Sequence, residues 1–197
     1  MDDPIGQSHE TMLVVRSQLG DERAFGELLR VHGPRLLFFV RQMMSAAPDR
    51  IEDLAQEIWV AIFRGLPSLR DTAKFRPWSF RIARDRVYRE HRRRRPLAQG
   101  VDSDELEQLA GEAPDEPFLD REVLHAGLGS LSPEHREVIV LHFFEDLSYE
   151  EISRVTRCAL GTVRSRIYDG KRALRRALEN PLNEPIPDPI DWHSGNT

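Results

Sequence analysis

The chain has a single cysteine, Cys158, which excludes an internal disulfide and any metal site built from several thiolates. Long apolar runs are missing too: no uninterrupted stretch approaches the roughly 20 residues needed to span a bilayer. The opening Met1-Asp2-Asp3-Pro4 has neither the basic start nor the apolar stretch of a secretory signal. The expectation is a cytoplasmic protein without membrane insertion. Strand signals are scarce, because polar–apolar alternation is rare and β-branched runs are short. With 197 residues, 40% of them hydrophobic, there is room for one ordinary domain or two small ones.

Net positive charge is also lacking overall, since the formal charge is −5. Its distribution matters more than its sum. Residues 74–95 carry ten basic side chains against Asp85 and Glu90, a local charge of +8. Residues 102–122 carry nine acids against Arg121, a local charge of −8. Residues 154–176 carry eight bases against Asp169, a local charge of +7. Phosphate affinity follows local charge, because counterion release is local. One such run is most simply a solvated face; two on helical patterns point toward nucleic acid.

Helical periodicity recurs along the chain. Residues 21–32 read as one helix, and Pro34 suits the first turn of another reaching about Ser45. Pro48-Asp49 opens a third, with Ile51, Leu54, Ile58 and Ile62 at helical spacing and Gly65 as its stop. Residues 66–73 read as a loop, followed by a fourth helix over residues 75–94 that ends before Pro96. From residue 96 the apolar period is lost among Pro, Gly, Ser and acids, as in a flexible linker extended by its own charge. Ser132-Pro133 then caps a helix running to about Phe144, and Ser148 with Glu151 forms a capping box for a short helix. A turn through Thr156, Arg157 and Cys158 leads to a longer helix over residues 160–178. The tail, with Pro181, Pro185, Pro187 and Pro189, is expected to be disordered.

Short helix, tight turn and longer helix is the helix-turn-helix plan, whose second helix enters the major groove. Val163, Ile167, Leu174 and Leu178 form its apolar stripe, while Thr162, Ser165, Arg166, Asp169 and Arg172 face away, with Arg164 at the margin. The same spacing fits an ordinary helical hairpin with a basic exposed face. In the fourth helix, Arg81, Arg84, Tyr88, Arg92 and Arg95 share one face. Arginines that track phosphates beside a ring that stacks on bases suit an opened strand. Trp78, Phe80 and Tyr88 also fit as core residues. Asp53, Gln56, Glu57 and Arg64 make a polar stripe on the third helix, for which solvation is a sufficient explanation.

The run Glu52-Asp53-Leu54-Ala55-Gln56-Glu57, followed by Phe75-Arg76-Pro77-Trp78-Ser79-Phe80-Arg81-Ile82-Ala83-Arg84, resembles region 2 of the extracytoplasmic-function (ECF) sigma factors. Leu131-Ser132-Pro133-Glu134-His135-Arg136-Glu137-Val138, Leu147-Ser148-Tyr149-Glu150-Glu151-Ile152 and Gly161-Thr162-Val163-Arg164-Ser165-Arg166 resemble region 4 of that family, in the family's order. The resemblance implies an all-α protein of two small helical domains. Residues 1–95 would form the region 2 bundle, 96–120 a flexible acidic linker, 121–180 the region 4 helix-turn-helix and 181–197 a Pro-rich disordered tail. It implies an alternative sigma factor that binds core RNA polymerase and directs initiation at promoter DNA. Asp53, Gln56 and Glu57 match positions that dock on the polymerase. Ser68, Leu69, Arg70, Asp71, Thr72, Arg81, Arg84, Tyr88 and Arg92 match the part that melts and holds the −10 element. Thr162, Arg164, Ser165, Arg166, Tyr168, Asp169 and Arg172 lie on the helix matching the reader of the −35 element. An anti-sigma factor is the implied regulatory partner.

The chain departs from the family pattern at three places. Asp169 stands where a basic residue is common, Gly170 follows it at a helix-propensity cost of roughly 1 kcal/mol, and Asp85 replaces a frequent asparagine. A helix-turn-helix repressor or activator would explain the second basic block but leave residues 52–95 without a task. A nuclease or recombinase would need a metal or an activated nucleophile. Glu52, Asp53 and Glu57 offer carboxylates, but no His-Glu-x-x-His or comparable spacing accompanies them. Catalytic residues, metal and cofactor are therefore expected to be none.

Overall fold

The computed structural model describes residues 4–45, 47–94 and 119–179. The acidic stretch before residue 119, Arg95 and the Pro-rich tail lie outside them. Four helices build the first unit: α1 (Pro4–Gln18), α2 (Glu22–Met43), α3 (Ile51–Gly65) and α4 (Phe75–Arg94). Four more build the second: α5 (Leu119–Gly129), α6 (Pro133–Ile139), α7 (Tyr149–Thr156) and α8 (Leu160–Glu179). No strand occurs among the described residues.

Each end of these helices has a local cause. The Asp21 carboxylate accepts from the amides of Arg23 and Ala24, satisfying two of the donors that open α2. Ser132 caps α6 ahead of Pro133 in the first turn, and Ser148 with Glu151 completes a capping box at α7. Arg157 closes α7 in the left-handed region at φ 59°, turning the chain into α8.

Two expectations need correction here. The break between residues 32 and 34 is absent, and α2 runs through Pro34 as one helix. Its buried stripe of Leu28, His32, Leu36, Phe39 and Val40 continues across that point. Pro34 and Arg30 are exposed, so the Arg30 carbonyl deprived of its amide partner can turn to water. Gly33 lacks the Cβ that a following proline ring would crowd. The apolar stripe of α8 is also shorter than expected: Val163 and Ile167 are buried, Leu174 half-buried and Leu178 exposed. Leu178 touches α5 at Gly127 on one side, but its other side opens onto a shallow groove with Phe143 and Leu174. In addition, α5 begins at Leu119, inside the span assigned to the linker, and α1 was not legible as a helix.

The first core gathers Leu28, Leu36, Phe39, Leu54, Ile58, Ile62 and Phe75, with Phe39 meeting Phe80 edge-on at 5.5 Å. The second gathers Leu128, Val138, Ile139, Ile152, Val155, Val163 and Ile167. Between α6 and α7 the chain widens into a π-helical turn, Val140–Phe144, before Asp146 at φ 52°.

Gly170 belongs to this second core rather than being a simple propensity cost. A Cβ there would lie 2.9 Å from Ile139 Cγ1 and 3.4 Å from His135 Cβ, so the glycine sets how closely α6 and α8 cross. Ile139 is fully buried and has little room to yield. Gly170→Ala is expected to lower stability by about 1–2 kcal/mol, because overpacking outweighs the roughly 1 kcal/mol gained in helix propensity. A thermal melt that rose instead of falling would show that the crossing is loose.

Candidate nucleic-acid interface

The stripe Asp53, Gln56 and Glu57 is exposed on α3, opposite Leu54, Ile58 and Ile62 in the core. Arg50 organises it, donating to Asp53 at 2.6 Å, Glu57 at 3.3 Å and the buried Glu90 of α4 at 3.3 Å. Burial opposes the charge on Glu90, but Arg94, Arg93 and Arg50 hold its carboxyl below the usual glutamate range. Arg50, Val60, Arg64 and Arg86 complete a shallow groove around the stripe. The three sequence-assigned residues thus share one surface with fixed carboxylates. Arg50, which fixes them, was not singled out in the sequence.

The next segment, residues 66–74, is two short 3-10 turns, Leu66–Ser68 and Thr72–Lys74. Ser68 bonds back to the Gly65 carbonyl at 2.6 Å, and Asp71 accepts from the Ala73 amide at 3.2 Å. Ser68, Arg70 and Asp71 are exposed, Thr72 is half-buried, and Leu69 is buried as the anchor of the loop. Gln18 of α1 donates to the carbonyls of Leu66 at 3.0 Å and Leu69 at 2.7 Å, pinning the loop from outside. Nothing in the local pattern marked Gln18, because its partners lie some fifty residues away. Trp78 lies over Gly65, half-buried against the core beside Phe75, as its core reading expected.

On α4, Arg81 and Arg92 are exposed, whereas Arg84 and Tyr88 turn into the seam between the two units. Arg84 donates to Glu137 of α6 at 2.8 Å, and the Tyr88 hydroxyl reaches the other carboxylate oxygen at 3.3 Å. The Arg84 guanidinium also sits 4.3 Å above the Tyr88 ring. Burial opposes the Arg84 charge, yet the adjacent Glu137 holds its pKa above the usual arginine value. Burial, and then the Glu137 charge, push the Tyr88 hydroxyl well above the ordinary tyrosine range. Asp85 is paired across the same seam with Arg157 at 2.9 Å.

In the second unit α7 and α8 form the helix-turn-helix, with Val163 and Ile167 facing inward. Thr162, Arg164, Ser165, Tyr168, Asp169 and Arg172 are exposed together on the outer face of α8. Arg172 lies 5.7 Å from the centre of the Tyr168 ring. Arg166 is half-buried, directed toward the Cys158 sulfur at 3.3 Å. Two basic helical faces, one beside an aromatic ring and one on a helix-turn-helix, define a protein that reads nucleic acid with two helical domains.

Comparison with known proteins makes this specific. The family models for Sigma-70 region 2 and Sigma-70 region 4 match residues 28–96 and 121–174. The chain is 32% identical over 186 residues to the RNA polymerase sigma-H factor of Pseudomonas aeruginosa, covering 88% of this chain and 95% of that protein. It is 31% identical over 185 residues to the ECF RNA polymerase sigma-E factor of Escherichia coli K12, covering 88% and 96%. Among solved structures it resembles the sigma factor RpoE in complex with the anti-sigma factor NepR from Bartonella quintana. That match has TM-score 0.67 and 28% identity, covering 79% of this chain and 96% of the other. It also resembles CnrH in complex with the cytosolic domain of CnrY, with TM-score 0.64 and 26% identity, covering 87% and 97%.

The chain belongs to the ECF RNA polymerase sigma factors. It is a subunit that binds core RNA polymerase and directs promoter-specific transcription initiation. Among the described residues, no helix is long and apolar enough to cross a membrane.

Proposed function

We propose that the work of initiation is divided among three surfaces of this chain. Asp53, Gln56 and Glu57 on α3 dock on core polymerase. The loop at residues 68–72, with Arg81, Arg84, Tyr88 and Arg92 of α4, holds the opened −10 strand. The outer face of α8 reads the −35 duplex. The observation that carries this division is the contrast between the two basic surfaces. The α8 face is an exposed helix carrying Arg164, Ser165, Asp169 and Arg172, groups that pair with base edges and phosphates in a groove. The α4 face combines arginines with a tyrosine ring, which suits unstacked bases.

The domain limits are 1–95 for region 2, 96–118 for the linker, 119–180 for region 4 and 181–197 for the tail, the linker ending two residues earlier than expected because α5 starts at Leu119. The protein acts in the cytoplasm and catalyses no reaction itself. An anti-sigma factor is its regulatory partner, by analogy with the two solved relatives. Asp169 sets the −35 preference by accepting from a cytosine amino group, as an exposed carboxylate in the major groove is able to do.

Run-off transcription with core polymerase over a random promoter library tests this directly. Wild type is expected to initiate at a defined set of promoters, and Asp169→Arg to select different −35 elements while keeping the −10 element. Absence of initiation by either protein would overturn the division of roles. Identical −35 choices would overturn the role of Asp169 alone.

A further inference from the structure

We propose that Gln18 of α1 is a positioning residue for −10 recognition: its carboxamide sets the path of the loop at residues 66–72 and thereby the base that the loop selects. That role rests on the reading of residues 68–72 as the −10 loop. Helix α1 ends before residue 28, where the match to region 2 begins, so that match gives Gln18 no task. A loop that receives a base must hold its own backbone in one conformation. Ser68, Arg70 and Asp71 are exposed and contribute no packing to that end. The bonds inside the loop are local: Leu69 amide to Leu66 carbonyl at 3.0 Å, Ser68 hydroxyl to Gly65 carbonyl at 2.6 Å, Ala73 amide to Asp71 carboxylate at 3.2 Å. They shape each short turn without fixing one turn against the other.

Gln18 supplies that restraint. A carboxamide nitrogen carries two N–H groups, and here it donates to the Leu66 carbonyl at 3.0 Å and the Leu69 carbonyl at 2.7 Å. Leu69 is the extended residue at which the first turn ends, with φ −73° and ψ 105°. Fixing its carbonyl fixes the plane of the following peptide, and with it the direction in which Arg70, Asp71 and Thr72 leave. Helix α1 is itself firmly seated. Leu13 and Val14 are buried in the first core, and Glu10 pairs with His32 of α2 at 3.0 Å. The His32 ring meets Phe75, where α4 opens, edge-on at 5.2 Å. One helix therefore grips the entry of the loop directly and its exit through His32.

Without the two donors the Leu69 peptide is free to rotate, and the entropy of ordering it is charged to base capture. The preferred base loses more than its competitors, because it alone uses the fixed geometry of the loop. Selectivity at the −10 element falls, whereas −35 reading by α8 is untouched.

Gln18→Leu removes both donors while keeping side-chain size and helix propensity, and Gln18→Glu sets a carboxylate against both carbonyls. Each full-length protein, with core polymerase, transcribes a promoter library with a fixed −35 element and a randomised −10 element. The ratio of transcripts from −10 sequences competing in one tube does not depend on how much protein is folded, so a merely structural role leaves it unmoved. Gln18→Leu is expected to cut the ratio of the preferred −10 base to the next by about fivefold, and Gln18→Glu by more. Amide exchange in the free chain is expected to quicken by about fivefold at residues 66–74 and to stay unchanged in α2 and α3. An unchanged −10 ratio in Gln18→Leu, or loss of folding by circular dichroism in both variants, overturns the positioning role. A companion protein carrying Ser68→Ala, Arg70→Ala and Asp71→Ala separates the two readings. If it changes the −10 choice and Gln18→Leu does not, the role of Gln18 alone fails. If it leaves the −10 choice as it was, the loop assignment itself fails, and the role of Gln18 with it.

Discussion

Arg136→Ala is expected to lower the unfolding free energy by about 4 kcal/mol, a larger effect than most substitutions at a partly buried polar residue. The guanidinium donates to the carbonyls of Leu128 at 2.8 Å, Gly129 at 2.5 Å and Leu131 at 3.1 Å, where α5 ends. Those carbonyls belong to a helix terminus and the turn after it, where intrahelical partners run out, although the Leu128 carbonyl also accepts from the Leu131 amide at 3.2 Å. The same side chain reaches Gln42 and Ser45 of the first domain. Removing it strands several acceptors at once, which costs more than the net value of the bonds. Burial holds the Arg136 pKa below the usual arginine value, so the site already bears a desolvation cost that its carbonyl partners offset. Arg136→Lys is expected to recover less than half of the loss, because an ammonium cannot reproduce the planar fork. Chemical denaturation of both variants measures this. A loss below about 1 kcal/mol for alanine would mean that water replaces the guanidinium freely.

Relative to Glu145→Gln, the wild-type protein is expected to lose about 2.5 kcal/mol of stability as pH rises from about 5 to about 8. Burial pushes the Glu145 carboxyl up to about 7, against the pull of Arg35 from α2 and Arg76 from α4 and with a push from Asp146. When the folded pKa lies above the unfolded one, the folded form binds the extra proton between the two values. The stabilising contribution is therefore complete below the ordinary glutamate pKa and is lost as pH rises through about 7. Glutamine keeps the shape and stays neutral throughout. The burial itself comes from the meeting of the two domains, since Arg76 of α4 donates to the Glu145 carbonyl. Urea unfolding at pH 5 and pH 8 checks this. An unchanged slope in the glutamine variant would assign the pH dependence to another group.

Local order in this chain follows from short-range chemistry, and for that reason much of the fold was legible. The limits of α4 at Phe75 and Arg94, the cap at Ser132 and the capping box at Ser148 each depend on residues within one or two turns. The apolar stripe of α3 and the inward Val163 and Ile167 of α8 follow from period alone. Pro34 misled because its helix-breaking tendency is local, whereas the continuous buried stripe of α2 is a tertiary demand that overrode it. Gly170 misled in the opposite sense. Its propensity cost is visible in sequence, but the Ile139 side chain that makes the glycine necessary is not.

By itself, then, the sequence determined an all-helical chain, two separate basic faces, the helix-turn-helix and, through its paired motifs, the family. Those properties depend on residue type and on spacings of three or four. Only the tertiary structure decided which of the basic residues are available. Arg84 and Tyr88 share a helix face with Arg81 and Arg92 in sequence, yet Glu137, forty-nine residues beyond Tyr88, withdraws only the first two from solvent. The physical reason is that a charge pair between distant segments leaves no periodic trace along the chain, although it governs which side chains of the face are exposed.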